Sequence, residues 1–213
     1  MKPDTQTLQI DGPAGVLACV LDTPAPDVPL RGTAVLCHPH PLHGGTMDNK
    51  VVITLARAFV QLGYRALRFN FRGVGTSAGS WDAGVGEVDD ALAVVAHQRA
   101  AHPGLALALA GFSFGGYVAA QAADRLAAPP LSQPAQRLVL VGPATSRFTL
   151  PARVAPDTVV IHGEADDVVP LQATLDWARP QVLPVIVLPG VGHFFHGQLT
   201  LLKQQVVQAW HPA

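Results

Sequence analysis

The chain is 213 residues long, 49% hydrophobic and only 14% charged, which excludes a disordered chain and fits one packed core at ~100–200 residues per domain. Its 14 basic and 15 acidic residues leave a net charge of −1, so there is no electrostatic footprint for nucleic acid or an anionic membrane surface. Two cysteines, Cys19 and Cys37, are too few for a disulfide framework and are expected as small buried hydrophobes. The opening stretch MKPDTQTLQIDGPAG lacks the apolar run of a signal peptide, and no apolar run approaches the ~20 residues that span a bilayer. The expectation is a cytoplasmic protein forming a single domain over 1–213.

Taken in chain order, two strand-like runs, Gln6 to Ile10 and Val16 to Leu21, flank the turn signal DGPAG and read as an antiparallel hairpin. A proline-rich loop, TPAPDVPL, follows. Six more short apolar runs lie at 32–39, 64–70, 105–111, 137–143, 157–163 and 182–190. Such continuous runs suit strands buried on both faces of a parallel sheet. Between them, Val52, Leu55, Ala56 and Phe59 share one helical face, as do Val88, Ala91, Leu92 and Val95. Asp48 or Asn49 is placed to cap the first of these helices. Leu199, Leu202, Val206 and Ala209 mark a last amphipathic helix. Alternating strands and helices predict an α/β fold, with a mostly parallel sheet of about eight strands and helices on both faces. The segment PATSRFTLPARVAP, between the sixth and seventh strands, is too short and proline-broken for an inserted lid.

Residues 111–116 read GFSFGG, directly after the strand LALALA and before the helical run YVAAQAADRL. Gly-x-Ser-x-Gly in that context makes a sharp strand-to-helix turn. It lifts the Ser113 hydroxyl above the sheet, at the positive end of the following helix. Gly111 and Gly115 are expected where side chains would collide as the helix packs. A serine hydroxyl needs a base to take its proton, and the base needs a carboxylate to orient it. In this topology the chain order is serine, acid, histidine.

After Ser113, Asp124 and Asp176 fall in helices, and Asp157 enters a strand at the end away from the site. Glu164, Asp166 and Asp167 remain, in the loop HGEADDVVP after the seventh strand. Asp166 is favoured, with Asp167 as the alternative. Among later histidines, His193 directly follows the eighth strand. His196 is a loop residue and candidate pocket wall, and His211 is terminal. His162 reads as a core residue at a strand end. Activity is expected to fall in acid, where an imidazole base protonates.

Acyl transfer also needs donors aimed at the developing oxyanion. One expected donor is the backbone amide of Phe114. The other is the amide of His40 in CHPHPLHGG, held between Pro39 and Pro41, with Gly44 and Gly45 letting the loop fold back. The same loop carries His38, His40 and His43, whose spacing also suggests a metal cluster. That reading lacks supporting carboxylates, so hydrogen bonding by His38 and His43 is expected instead, with no metal or cofactor. GVGTSAG (73–79) lacks the spacing and acidic partner of a dinucleotide loop. Arg72 is expected to tie that loop down, while Glu87, Asp89 and Asp90 open a helix where acids suit the dipole. Trp81, Phe194, Phe195 and Met47 are candidate pocket walls.

Together these blocks resemble the α/β-hydrolases. GFSFGG resembles their nucleophile elbow, GEADDVVP their acid loop and GVGHFFHG their histidine loop. HPHPLHGGTMDNKVV and RFNFRGVGTSAGSWDAGVGEVDDA are similar to small, lidless bacterial hydrolases related to dienelactone hydrolases and acyl esterases. The resemblance implies a Ser113–Asp166–His193 triad and no cofactor; the absence of a lid leads to a shallow, open site and the expectation of a small-molecule ester substrate. It departs from dienelactone hydrolases proper, whose nucleophile is cysteine. A thioesterase, peptidase or acyltransferase would use the same three residues, and a catalytically idle binding module is the alternative of a different class. The pattern leaves a homodimer open.

Overall fold

The computed structural model describes residues 4–210; His211 lies outside them. Eight strands form one sheet: β1 (Asp4–Gly12), β2 (Gly15–Thr23), β3 (Gly32–Cys37), β4 (Tyr64–Phe69), β5 (Ala106–Phe112), β6 (Arg137–Val141), β7 (Val159–Gly163) and β8 (Val185–Leu188). Their order is β1-β2-β4-β3-β5-β6-β7-β8. β1 and β2 pair as the expected hairpin, and β2 pairs antiparallel with β4. Every other pairing is parallel.

Five helices cover the sheet: α1 (Lys50–Gln61), α2 (Val85–Ala101), α3 (Phe114–Ala127), α4 (Leu171–Ala178) and α5 (Leu199–Ala209). The strand period of two divides the apolar runs between two cores. Val35, Cys37 and Leu109 face one core, which includes Val88, Ala91 and Val95 of α2 and Val118 and Ala122 of α3. Ala34, Leu36, Ala108, Ala110 and Phe112 face the other, with Val52, Leu55 and Phe59 of α1 and Leu202 and Val206 of α5. Burial on both faces is why β3 and β5 read as unbroken apolar runs.

Local chemistry sets the element ends. Asn49 caps α1 by accepting the Val51 amide at 2.9 Å. Asp48, the other candidate cap, instead meets Arg68 at 2.9 Å. β8 is shorter than its apolar run because Pro184 and Pro189 bracket it and neither can donate to a ladder. Between β6 and β7 the chain makes only turns and bends, with no inserted helix or strand that could form a lid. Among the described residues, no helix is long and apolar enough to cross a membrane.

Candidate active site

The turn from β5 into α3 carries Ser113 at φ 56°, ψ −118°, a left-handed backbone that a serine adopts only under constraint. The constraint is close packing. A Cβ at Gly111 would collide with the Gly115 carbonyl, and one at Gly115 with the carbonyl of Cys37 on β3. The Ser113 amide donates to Val141 on β6 at 2.9 Å, so the elbow is pinned to its neighbouring strand.

The three residues distant in sequence meet at the carboxyl end of the sheet. Ser113 Oγ lies 3.0 Å from His193 Nε2, and His193 Nδ1 lies 2.7 Å from Asp166 Oδ2. His193 is buried, with its ring against Phe112 and Phe194 at 4.9 and 5.0 Å. Asp166 Oδ1 accepts the amides of Val168 and Val169 at 3.0 and 2.7 Å. Burial alone would raise its carboxyl, but the bonds from His193 and these amides outweigh that and hold it below the usual range. Asp167, the alternative acid, is exposed. Glu164 joins the acid loop to the histidine loop by accepting the Gly190 amide at 2.9 Å.

A second histidine stands behind the carboxylate. His162 is buried, its Nε2 2.9 Å from the Val169 carbonyl and 3.4 Å from Asp166 Oδ2. With the proton on Nε2 it donates to that carbonyl and faces Asp166, while Nδ1 has no partner. Burial lowers its pKa, outweighing the opposing pull of the Val169 bond and the Asp166 charge. The sequence marks it only as a core residue, since its neighbour is set by the loop's return path.

On the opposite wall, His38 fixes the loop after β3. Its Nδ1 lies 2.7 Å from the Pro39 carbonyl, and its Nε2 accepts the Phe71 amide at 3.1 Å. Nδ1 therefore carries the proton. Holding the Pro39 carbonyl orients the whole Pro39–His40 peptide, whose N–H points the other way. The loop then doubles back: the His40 carbonyl accepts the amides of His43 and Gly45, and a Cβ on Gly45 would strike the Pro39 carbonyl. The His40 ring packs on Trp81 at 4.6 Å and Phe114 at 5.2 Å, so both expected donor residues stand side by side.

Other expectations are corrected. Among the described residues His43 has no hydrogen-bond partner for its ring; it is exposed and packs on His40 at 4.6 Å. Among the described residues no three His, Cys, Asp or Glu side chains converge to hold a metal ion. Asp90 does not serve the helix dipole; it is fully buried and binds Arg72 through Nε and Nη2 at 3.0 and 2.8 Å. Asp89 pairs with Arg125 at 2.6 Å, whereas Glu87 does stand in the first turn of α2 as expected, accepting the amides of Asp82 and Gly84. The 73–79 loop is stapled to β2 by Ser77, whose hydroxyl accepts the Ala18 amide and donates to the Asn70 carbonyl. Phe195 and Met47 are core residues, and exposed His196 lies against Phe194 outside the cleft.

A cleft of about 280 Å³ opens over Ser113, walled by His40, His43, Asn49, Arg147, Val168, His193 and Phe194, with Pro39, Gly44 and Gly45. Phe194 is the expected pocket wall that lines it. Arg147 was not legible in the sequence, since its polar loop shows no pattern.

Residues 40–154 match the family described as serine aminopeptidase, S33. An α/β serine hydrolase without a lid from Xanthomonas campestris is 42% identical, with a TM-score of 0.85, over 99% of this chain and 96% of that one. An α/β serine hydrolase homologue from Coxiella burnetii is 38% identical, with a TM-score of 0.87, over 97% of both chains. An uncharacterized protein of Rickettsia prowazekii is 46% identical over 98 residues, a match spanning 46% of this chain and 40% of that relative's length. None of these matches carries the link to dienelactone hydrolases. The sheet order, the elbow and these relatives lead to one assignment: the chain belongs to the lidless α/β serine hydrolases.

Proposed function

We propose that the protein hydrolyses small carboxylic esters through an acyl-enzyme intermediate on Ser113. The observation that carries this is the continuous contact from Ser113 Oγ to His193 Nε2 at 3.0 Å and from His193 Nδ1 to Asp166 Oδ2 at 2.7 Å. Ser113 Oγ attacks the ester carbonyl as its proton passes to His193 Nε2. Asp166 holds the tautomer with the proton on Nδ1 and stabilises the imidazolium. The amides of His40 and Phe114 are assigned as the donors to the developing oxyanion. Collapse of the tetrahedral intermediate expels the alcohol, which takes the proton from His193. Water then attacks the acyl-enzyme, with His193 again as base, and releases the acid and free Ser113.

The cleft is small and open, which favours short acyl groups over long chains. The family description raises an aminopeptidase reading. An aminopeptidase needs a negative group to hold the substrate's α-ammonium, and among the described residues no carboxylate lines this cleft. Asp166 is committed to His193 and to two amides. Ester cleavage is therefore favoured.

A fluorophosphonate probe tests the nucleophile: the expected result is one adduct, at Ser113, absent in Ser113→Ala. No adduct in folded protein would sink the reading in favour of an idle scaffold. A series of p-nitrophenyl esters beside acyl-CoA and aminoacyl anilides then separates esterase from thioesterase and peptidase. The expected order is short esters first and aminoacyl anilides last.

A further inference from the structure

We infer that the site selects esters that carry a carboxylate, such as monoesters of a small dicarboxylic acid, and that Arg147 receives that group. The inference rests on the ester-hydrolase reading and names its substrate class.

Four observations carry it. Among the described residues the charge of the cleft is one-sided: Arg147 lines it, no carboxylate does, and the other ionisable lining groups are His40, His43 and His193. Among the described residues Arg147 has no ion pair, whereas Arg68 and Arg72 deeper in the molecule each meet two carboxylates. The backbone bearing Arg147 is held to the nucleophile itself. Ala144 donates its amide to the Ser113 carbonyl at 3.2 Å, and the Ala144 carbonyl accepts the amides of Arg147 and Phe148 at 3.1 and 3.0 Å. The next side chain, Phe148, is clamped between Phe114 at 5.1 Å and Tyr117 at 4.9 Å. An exposed guanidinium is thus mounted on a fixed turn beside the reacting serine. Burial first, then the charges of His43 and Arg147, lower the pKa of His40.

The planar fork of one arginine matches one carboxylate in two parallel hydrogen bonds, whereas an ammonium would be repelled. A substrate bound this way has its reacting carbonyl over Ser113 and its distal carboxylate at the cleft wall. The 280 Å³ volume admits only a short spacer between them.

Monomethyl succinate and methyl butyrate, followed by pH-stat titration, compare a charged and a neutral acyl group of similar length. The expected kcat/KM ratio favours the succinate ester by about tenfold at low salt and shrinks as salt rises. In Arg147→Gln the ratio should fall about tenfold, and in Arg147→Glu it should invert. Equal ratios in all three proteins would overturn the inference. Binding is measured separately in Ser113→Ala by NMR titration with the same two esters. A succinate preference that disappears in the Ser113→Ala, Arg147→Gln protein upholds the carboxylate site even if neither ester is hydrolysed, in which case the ester-hydrolase reading alone fails. No preference in Ser113→Ala overturns the carboxylate site whatever the turnover.

Discussion

Acidification should unlatch the loop that carries His40 by protonating His38. The His38 ring is fully buried, donates from Nδ1 to the Pro39 carbonyl and accepts the Phe71 amide at Nε2. A proton added at Nε2 would face that amide's hydrogen and bury a charge. Burial lowers the group from 6.5 to about 4, against the smaller opposing effect of the Pro39 bond. The folded state therefore binds fewer protons than the unfolded one, and stability falls as pH drops through 6.5 toward 4. The contribution is complete above that window. The loss reaches about 2 kcal/mol at pH 5 and about 3 kcal/mol once pH is well below 4. In His38→Gln the titration is absent. At pH 7.5 that variant should be less stable by about 1–3 kcal/mol, because two buried hydrogen bonds lose their alignment. Urea unfolding followed by tryptophan fluorescence at pH 7.5 and 5 measures both proteins, and contributions from other histidines cancel in the difference. The stability gap between wild type and variant should close by about 2 kcal/mol at the lower pH. A gap that stays constant would refute the reasoning, because His38 would then titrate alike in folded and unfolded chains.

Three further outcomes are expected. Asp166→Asn should lower kcat on a p-nitrophenyl ester by ~10³–10⁴ with little change in KM, while Asp167→Asn stays within about twofold; equal losses would mean the acid is misassigned. Gly115→Ala should cost more than ~3 kcal/mol or prevent folding, because its methyl would meet the Cys37 carbonyl, a backbone atom. Gly44→Ala, at φ 75° in open space, should cost only about 1 kcal/mol, and thermal melts followed by circular dichroism separate the two. Cys19 and Cys37 are free and buried, with burial pushing the Cys19 thiol up to about 12 and Cys37 higher still. A thiol reagent should find neither in folded protein at pH 8 and both in urea; rapid labelling of the native state would contradict the burial.

Parts of the molecule governed by short-range sterics were legible in the residue order. Strand runs buried on both faces read as strands, although the run at 182–190 overshoots β8, whose ladder stops at Pro184 and Pro189. The glycines around Ser113 announced the elbow because backbone crowding demands them, Gly111 against the Gly115 carbonyl and Gly115 against the Cys37 carbonyl on the neighbouring strand. Chain order then led to His193 and narrowed the acid to one loop.

Choosing within that loop depended on the folded chain. Asp166 and Asp167 are adjacent and chemically identical, and only the return of the loop over His193 turns one inward and leaves the other in solvent. Phe194 and Phe195 divide the same way. A left-handed residue at φ 52° sends Phe195 into the core beneath while Phe194 lines the cleft. Phe71 reaches His38 and Arg72 reaches Asp90 from segments separated in sequence, the acid loop folds Val169 and Asp166 back on His162, and the company Arg147 keeps at the cleft is likewise set by the packed chain. Residue identity determines what a side chain can donate, accept or bury. Which group stands opposite it depends on how loops of differing length close at one end of the sheet, and that is a property of the whole packed chain.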